Sequence, residues 1–221
     1  MANIDFLSAI HNATKRDYLA RVNDYPKADA AKLAKKYDYE YWDGSRDTGY
    51  GGYKYIEGYW ERVAIPLIKH YGLKDGDKVL DVGCGKGFLL FELLKAMPGL
   101  EVVGLDISNY AIANSKKEIK KFLHKGDAKK LPFEDDSFDL VISLNTIHNL
   151  FCYDMLKSLK EIERVGKKNK YVVVESYQTI EQKTNMMYWV LTGECFFSDE
   201  EWEWWFKMAN YSGDHSFIYF D

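Results

Sequence analysis

The chain has 221 residues, a net charge of −4 and 29% charged residues, which suits one domain with an added segment. Its acidic balance supplies no cationic field to hold a polyanion, so nucleic acid is not an expected partner. Three widely spaced cysteines (Cys84, Cys152, Cys195) exclude a disulfide framework and a cysteine metal site, and no apolar run approaches a membrane span, so a soluble, cytoplasmic protein without membrane partners is expected.

The first 60 residues differ in texture from the rest and are expected to form a helical and loop segment beside a main domain of residues 61–221. Leu7, Ile10, His11, Thr14, Tyr18 and Val22 recur at near-helical spacing, and Ala30–Tyr37 reads as a second short helix. The stretch from Tyr37 to Tyr53 is aromatic and glycine-rich and reads as loop. A helix is expected from Gly58 to Tyr71.

After residue 77 strands and helices alternate. Lys78–Val82 reads as a strand ending at a glycine turn, Phe88–Ala96 as a helix stopped by Pro98-Gly99, and Glu101–Leu105 as a second strand. Ser108 is placed as the N-cap of a helix over Asn109–Lys120. Phe122–Lys125 and Phe138–Leu144 follow as strands, the latter apolar almost throughout and so buried on both faces. Cys152–Val165 reads as a helix, Tyr171–Glu175 as a strand, Asp199–Ala209 as a Trp-rich helix and Phe217–Phe220 as a last strand. The alternation predicts a doubly wound α/β domain around a mostly parallel sheet of six or seven strands; another strand has room near Phe196. The segment Gln178–Phe197 is expected to cover a pocket.

The strongest chemical signal is Val79-Leu-Asp-Val-Gly-Cys-Gly-Lys-Gly87, a strand running through Asp81 into glycines 83, 85 and 87 and then a helix. Such a turn lets backbone approach a ligand and aims helix N–H groups at it. Asp106 ends the next strand, where a carboxylate can accept hydrogen bonds from a ribose diol. The spacing G-x-G-x-G departs from the dinucleotide pattern G-x-G-x-x-G/A, because Phe88 stands where the last small residue belongs. Asp81 also sits poorly beside a pyrophosphate and suits a ligand carrying an ammonium and a sulfonium.

With Gly104-Leu-Asp-Ile-Ser108 and Gly126-Asp-Ala-Lys-Lys-Leu-Pro-Phe-Glu-Asp-Asp-Ser-Phe-Asp-Leu-Val-Ile-Ser143, these motifs make residues 60–176 resemble a class I S-adenosylmethionine-dependent methyltransferase, a Rossmann-like fold. The resemblance implies S-adenosylmethionine as cofactor and S-adenosylhomocysteine as product. It places Gly83 and Gly85 behind the methionine part, Asp106 on the ribose, Ile107, Asp127 and Ala128 on the adenine, and Asn145 near the sulfur; Asp81 and Gly87 of the same turn are counted with the cofactor-binding residues. Lys15-Arg-Asp-Tyr18 and Ser45-Arg-Asp-Thr-Gly-Tyr-Gly-Gly-Tyr53 resemble a small bacterial subgroup of surface-polysaccharide and small-molecule pathways. In the wider family such segments form a lid over the sulfonium. On such a lid Tyr53 is placed on the donor and Arg16, Tyr18, Arg46 and Tyr50 on the acceptor: Tyr50 and Tyr53 offer faces to a cation or an apolar substrate, and Arg16 or Arg46 can pair with a carboxylate or phosphate of the donor or the substrate.

Methyl transfer needs positioning, a dry site and, for a protonated nucleophile, a base. The end of the fourth strand reads Leu144-Asn-Thr-Ile-His-Asn149, not the Asn-Pro-Pro-Tyr of many amine-modifying relatives. His148 is therefore the first candidate base, favouring O-methylation, and His11 the second. Asn149 and Tyr177 are placed on the acceptor, and Glu175 lies within reach of the pocket mouth. No metal-ligand spacing is present. The expected function is methylation of a small molecule, such as a sugar, phosphoryl or carboxylate-bearing surface-polysaccharide precursor, by a monomer or homodimer. The competing readings are N-methylation or other chemistry on the same donor, and a macromolecular modifier.

Overall fold

The computed structural model describes residues 1–12 and 15–221. Short helices open the chain: α1 (Ser8–His11), α2 (Tyr18–Asn23), α3 (Lys27–Ala34) and α4 (Tyr39–Trp42). Then come α5 (Glu61–Tyr71), β1 (Lys78–Val82), α6 (Phe88–Ala96), β2 (Glu101–Asp106), α7 (Asn109–Ala113), α8 (Lys117–Lys120), β3 (Leu123–Lys125) and β4 (Phe138–Leu144). A 3-10 turn at Ile147–Asn149 leads into α9 (Cys152–Val165), β5 (Gly166–Glu175), α10 (Ile180–Trp189), α11 (Asp199–Met208) and β6 (Asp214–Ile218).

The six strands form one sheet in the order β3-β2-β1-β4-β5-β6, every neighbouring pair parallel. This is the expected Rossmann-like architecture at the lower of the two strand counts. Side chains alternate between two apolar layers, as the two-residue period of a strand requires. Val79, Leu140, Ile142, Tyr171 and Val173 face one layer with Leu89, Leu90 and Leu93 of α6 and Val63 and Leu67 of α5. Leu80, Val82, Val141, Val172 and Val174 face the other with Leu159 and Ile162 of α9 and Trp202 and Phe206 of α11. Both faces are covered, which is why the central strands read as unbroken apolar runs.

The structure departs from the sequence reading mainly at element ends and in the first 60 residues. The periodicity from Leu7 to Val22 spans two helices, because Asp17 leaves the helical conformation and caps α2 by accepting from Ala20 N–H; Thr14 lies outside the described residues. Within the expected loop 37–53, Asp38 caps the turn α4. The helix begun at Ser108 splits at Asn114 into α7 and α8, although Ser108 does cap it through Ala111 N–H. The Gln178–Phe197 segment contains α10. Near Phe196 there is only an isolated bridge between Tyr177 and Ser198. The last strand begins earlier than expected, at Asp214, and its outer edge is met by the first residues of the chain: Ile4 N–H donates to the His215 carbonyl and His215 N–H to the Ala2 carbonyl.

Candidate active site

The chain reverses its direction of winding between β1 and β4, and a crevice opens there at the carboxyl ends of the strands. A cavity of about 700 Å³ occupies it, a size that holds a cofactor and a small second ligand. The first 60 residues supply much of its outer wall, from Leu7 to Trp60.

At the β1–β2 end the glycine turn is held open by its backbone. Gly83 has φ +83°, and a Cβ there would overlap the Thr146 side chain at about 2 Å; Gly85 has φ +55°, and a Cβ would meet the Trp42 ring at 2.8 Å. Asp106 pins this turn: one carboxylate oxygen accepts from Gly85 N–H and the other from Ser108 N–H, each at 2.7 Å. A carboxylate has about four acceptor sites, so two remain for a diol. Burial raises the Asp106 pKa against the pull of those two N–H groups. Asp81 is buried beside it, and desolvation with the Asp106 charge pushes its pKa up to about 7. Two adjacent buried carboxylates are a seat for a cation. Ile107 is half exposed on the cavity wall, Ala128 is buried, and Asp127 accepts from Lys129 N–H at the rim. Asn145 takes a left-handed backbone (φ 52°), and its Oδ1 is buried without a hydrogen-bond partner among the described residues. An acidic seat, a side-chain-free turn, an apolar wall and an unpaired acceptor fit the ammonium, ribose and base of an S-adenosylmethionine-type donor.

At the β4–β5 end, His148 and Glu175 form a closed pair. His148 Nδ1 accepts from Glu175 N–H at 3.4 Å, which puts the proton on Nε2, 3.3 Å from Glu175 Oε2. Burial drives the His148 pKa down to about 3. Burial pushes Glu175 up to about 8, against the opposing pull of Arg16 and Lys27. His11 is also engaged at both nitrogens: Nε2 lies 3.0 Å from the Tyr219 carbonyl and Nδ1 3.1 Å from the Arg16 guanidinium. Its burial and the Arg16 charge lower its pKa to about 4. Either histidine must give up a hydrogen bond before it can take a proton.

Of the residues singled out from sequence, His11, Arg16, Arg46, Tyr50, Tyr53, Asp81, Gly83, Gly85, Asp106, Ile107, Asp127, Ala128, Asn145, His148 and Asn149 line this one cavity. Gly87, Tyr18 and Tyr177 do not. Gly87 (φ +71°) packs against Leu123 and Ile119 at the start of α6. The Tyr18 hydroxyl donates to the Asp221 carbonyl, and Tyr177 bonds Lys183 and Glu201 outside the crevice. Asn149 is tied to Thr192 and to the Asn145 carbonyl.

Sequence reading missed how the N-terminal segment is fastened. Lys86, inside the glycine turn and buried, donates to both oxygens of Asp43 at 2.8 and 2.7 Å and to the Tyr53 carbonyl at 2.8 Å. Tyr110 donates to the same carboxylate. Trp42 donates to Ser108 Oγ and the Tyr37 carbonyl, and a run of aromatic contacts passes from Trp42 through Tyr50 and Tyr53 to Phe88. Phe88, out of place for a dinucleotide turn, is thus the ring on which the segment docks. The fastening was hidden because its partners lie tens of residues apart.

A family model described as a methyltransferase domain matches residues 73–211. A demethylmenaquinone methyltransferase of Staphylococcus aureus (strain JH9) is 37% identical over 153 residues, 62% of this chain and 62% of that protein. The chain therefore spans less than two thirds of that relative's length. A chain from the complex between the Haloferax volcanii Trm112 methyltransferase activator and the putative methyltransferase superposes with a TM-score of 0.56, at 21% identity over 89% of this chain and 77% of that one. A SAM-dependent methyltransferase of Methanosarcina mazei gives 0.52, at 23% over 65% and 83%. At such identities these structures speak for the fold. The match over residues 73–211, on a sheet that opens its crevice at the glycine turn, makes this chain a member of the methyltransferase domain family.

Proposed function

We propose that the chain transfers a methyl group from S-adenosylmethionine to an oxygen of a small molecule, with residues 1–60 as the lid of the site. The observation that carries this reading is one continuous cavity with the Asp81–Asp106 seat and glycine turn at one end and the His148–Glu175 pair at the other. The donor supplies an electrophilic methyl on a cationic sulfur, which departs as a neutral thioether. The chain's own part begins with Asp106, which holds the ribose and keeps the Gly85 backbone in place. Asp81 and the Asn145 oxygen meet the ammonium. Trp42, Tyr50 and Tyr53 exclude water, so the charge contacts act in a low dielectric. The acceptor oxygen gives its lone pair to the methyl carbon and loses its proton to Glu175, the group whose pKa of about 8 matches neutral conditions. His148 orients that carboxylate through Nε2–H. A sugar, phosphoryl or carboxylate-bearing precursor of a surface polysaccharide is an acceptor of this description.

A second reading follows the Staphylococcus aureus relative. Leu7, Ile10, Tyr59 and Phe220 give the acceptor side apolar walls that suit a planar ring methylated at carbon.

Calorimetry with S-adenosylhomocysteine and a labelled-methyl screen of hydroxyl, carboxylate and ring acceptors test both readings. We expect binding, and transfer whose rate rises with pH through about 8 and falls at least 100-fold in Glu175→Gln. No heat with donor or product overturns methyl transfer. An active Glu175→Gln enzyme with an unchanged pH profile overturns the role of Glu175.

A further inference from the structure

Around Trp189, at the lid end of the cavity, three arginines converge on one ring. Trp189 ends α10 and lines the cavity with Arg16, Arg21 and Arg46, whose guanidinium carbons lie 5.7, 5.0 and 5.1 Å from the centroid of its ring. Arg21 is held by the Trp189 and Arg46 carbonyls and Arg46 by the Tyr50 carbonyl. Among the described residues neither makes an ion pair within 4.0 Å. Burial and the Arg46 charge lower the Arg21 pKa to about 10; burial and Arg21 lower the neighbouring Lys27 to about 8. Asp47 acts on Arg21 from a distance, and Glu175 on Arg16 and Lys27.

Helix capping accounts for part of this cluster. Lys27 donates to the carbonyls of Met187 and Tyr188, and Arg21 to that of Trp189, all at the C-terminal end of α10. One or two cations satisfy a helix end. Arg46 touches none of these carbonyls, yet it converges on the same ring from the Ser45–Tyr53 segment. A guanidinium has five donors in a fixed fork, and main-chain carbonyls take two from Arg21 and one from Arg46. Both arginines line the cavity. The cavity thus carries Asp81 and Asp106 where a cationic donor fits, and at the lid end, beyond Glu175, Arg21 and Arg46 without an ion pair among the described residues.

We propose that Arg21 and Arg46, braced on Trp189, form a subsite for a carboxylate or phosphoryl group on the methyl acceptor. This rests on the methyl-transfer reading and names the acceptor's charge class. The fork geometry of the arginines takes two anionic oxygens at once, and the ring behind them packs against the carbon skeleton that carries the anion. Mutual repulsion of the cations is relieved when the anion enters, which favours anionic over neutral molecules of the same shape.

The test is titration of the full chain, with and without saturating S-adenosylhomocysteine, by benzoate, phenyl phosphate and uncharged benzyl alcohol. We expect both anions to bind at least tenfold more tightly than the alcohol, and their affinity to fall at least tenfold in Arg21→Gln/Arg46→Gln. The affinity for S-adenosylhomocysteine should stay within about twofold. Arg46→Gln alone, on an exposed side chain, gives a partial loss and serves if the double variant does not fold. Anion binding unchanged in the variants, or benzyl alcohol binding as well as benzoate, overturns the subsite. If S-adenosylhomocysteine gives no heat while the anions still bind through these arginines, the subsite stands and the methyl-transfer reading fails.

Discussion

The two ends of the cavity are built on different physics. The β1–β2 end sits on the sheet. Its backbone is set by glycines with positive φ and by a carboxylate that bonds two N–H groups, and its carboxylates are buried among parallel strands. The lid end is assembled from short helices and the end of α10. Its charged groups rest on carbonyls and aromatic faces, and the side chains come from segments far apart in sequence. Geometry set by backbone at the first end suits recognition of the donor, and side chains brought together from separate segments at the second suit recognition of the proposed acceptor.

The largest effect that would sharpen this contrast is at Asp106. Asp106→Ala removes the proposed ribose partner and frees the Gly85 turn; we expect affinity for S-adenosylhomocysteine to fall about 100-fold by calorimetry, with benzoate binding retained. Comparable losses of both ligands would break the division.

The join between the two ends comes next. Asp43→Asn leaves the buried Lys86 ammonium without its carboxylate and should cost about 3 kcal/mol in chemical denaturation, most of it recovered by Lys86→Met in the same chain. Burial of Asp43 works against ionisation, but the Lys86 and Tyr110 hydrogen bonds outweigh it and hold its pKa below the usual range. The pair's contribution is therefore complete above about pH 4 and is lost as the pH falls through that lowered value. Independent effects of the two substitutions would show that the lid is not fastened there.

A smaller effect concerns Asp81. Its pKa is raised, so the native state binds the proton more tightly than the unfolded chain, and stability declines as pH climbs from about 4 to about 7. Asp81→Asn should then be more stable than the parent by about 1–2 kcal/mol at pH 8, with the gain vanishing toward pH 4, while donor binding weakens about tenfold. A variant less stable than the parent at pH 8 would place Asp81 in a satisfied network instead.

The smallest concerns Trp42→Phe, which keeps the ring contacts and removes the N–H shared by Ser108 and Tyr37. It should cost about 1 kcal/mol in thermal unfolding. No change would leave ring packing as the whole contribution of this side chain.

The rigid end was largely legible in the sequence. Val79–Val82 and Phe138–Leu144 read as strands because two-sided burial leaves them continuously apolar, and glycines at 83 and 85 stand where a Cβ would strike a neighbour. The lid end was not. Leu7–Val22 carries one periodicity across two helices, since it records which side chains are buried and not where the backbone turns. Arg21 and Trp189 gave no local sign of meeting 168 positions apart. The pairing of His148 with Glu175 needs the register of β4 against β5, which one strand's pattern does not encode.

The hydrogen bonds that hold Ala2 and Ile4 along β6 bear on how anything gets in or out. The covering strip begins stitched to the sheet's edge, ends where α5 joins the body, and is riveted midway at Asp43. A strip tied as well at His11 to Tyr219, at Lys27 to the end of α10 and at Trp42 to Ser108 does not swing like a hinged door; it arches between its ties. Passage then needs a short span to bow outward while the rest stays seated. If ligands must pass under such a span, turnover should slow as solvent viscosity rises, which a viscosity series on the labelled-methyl assay reads directly.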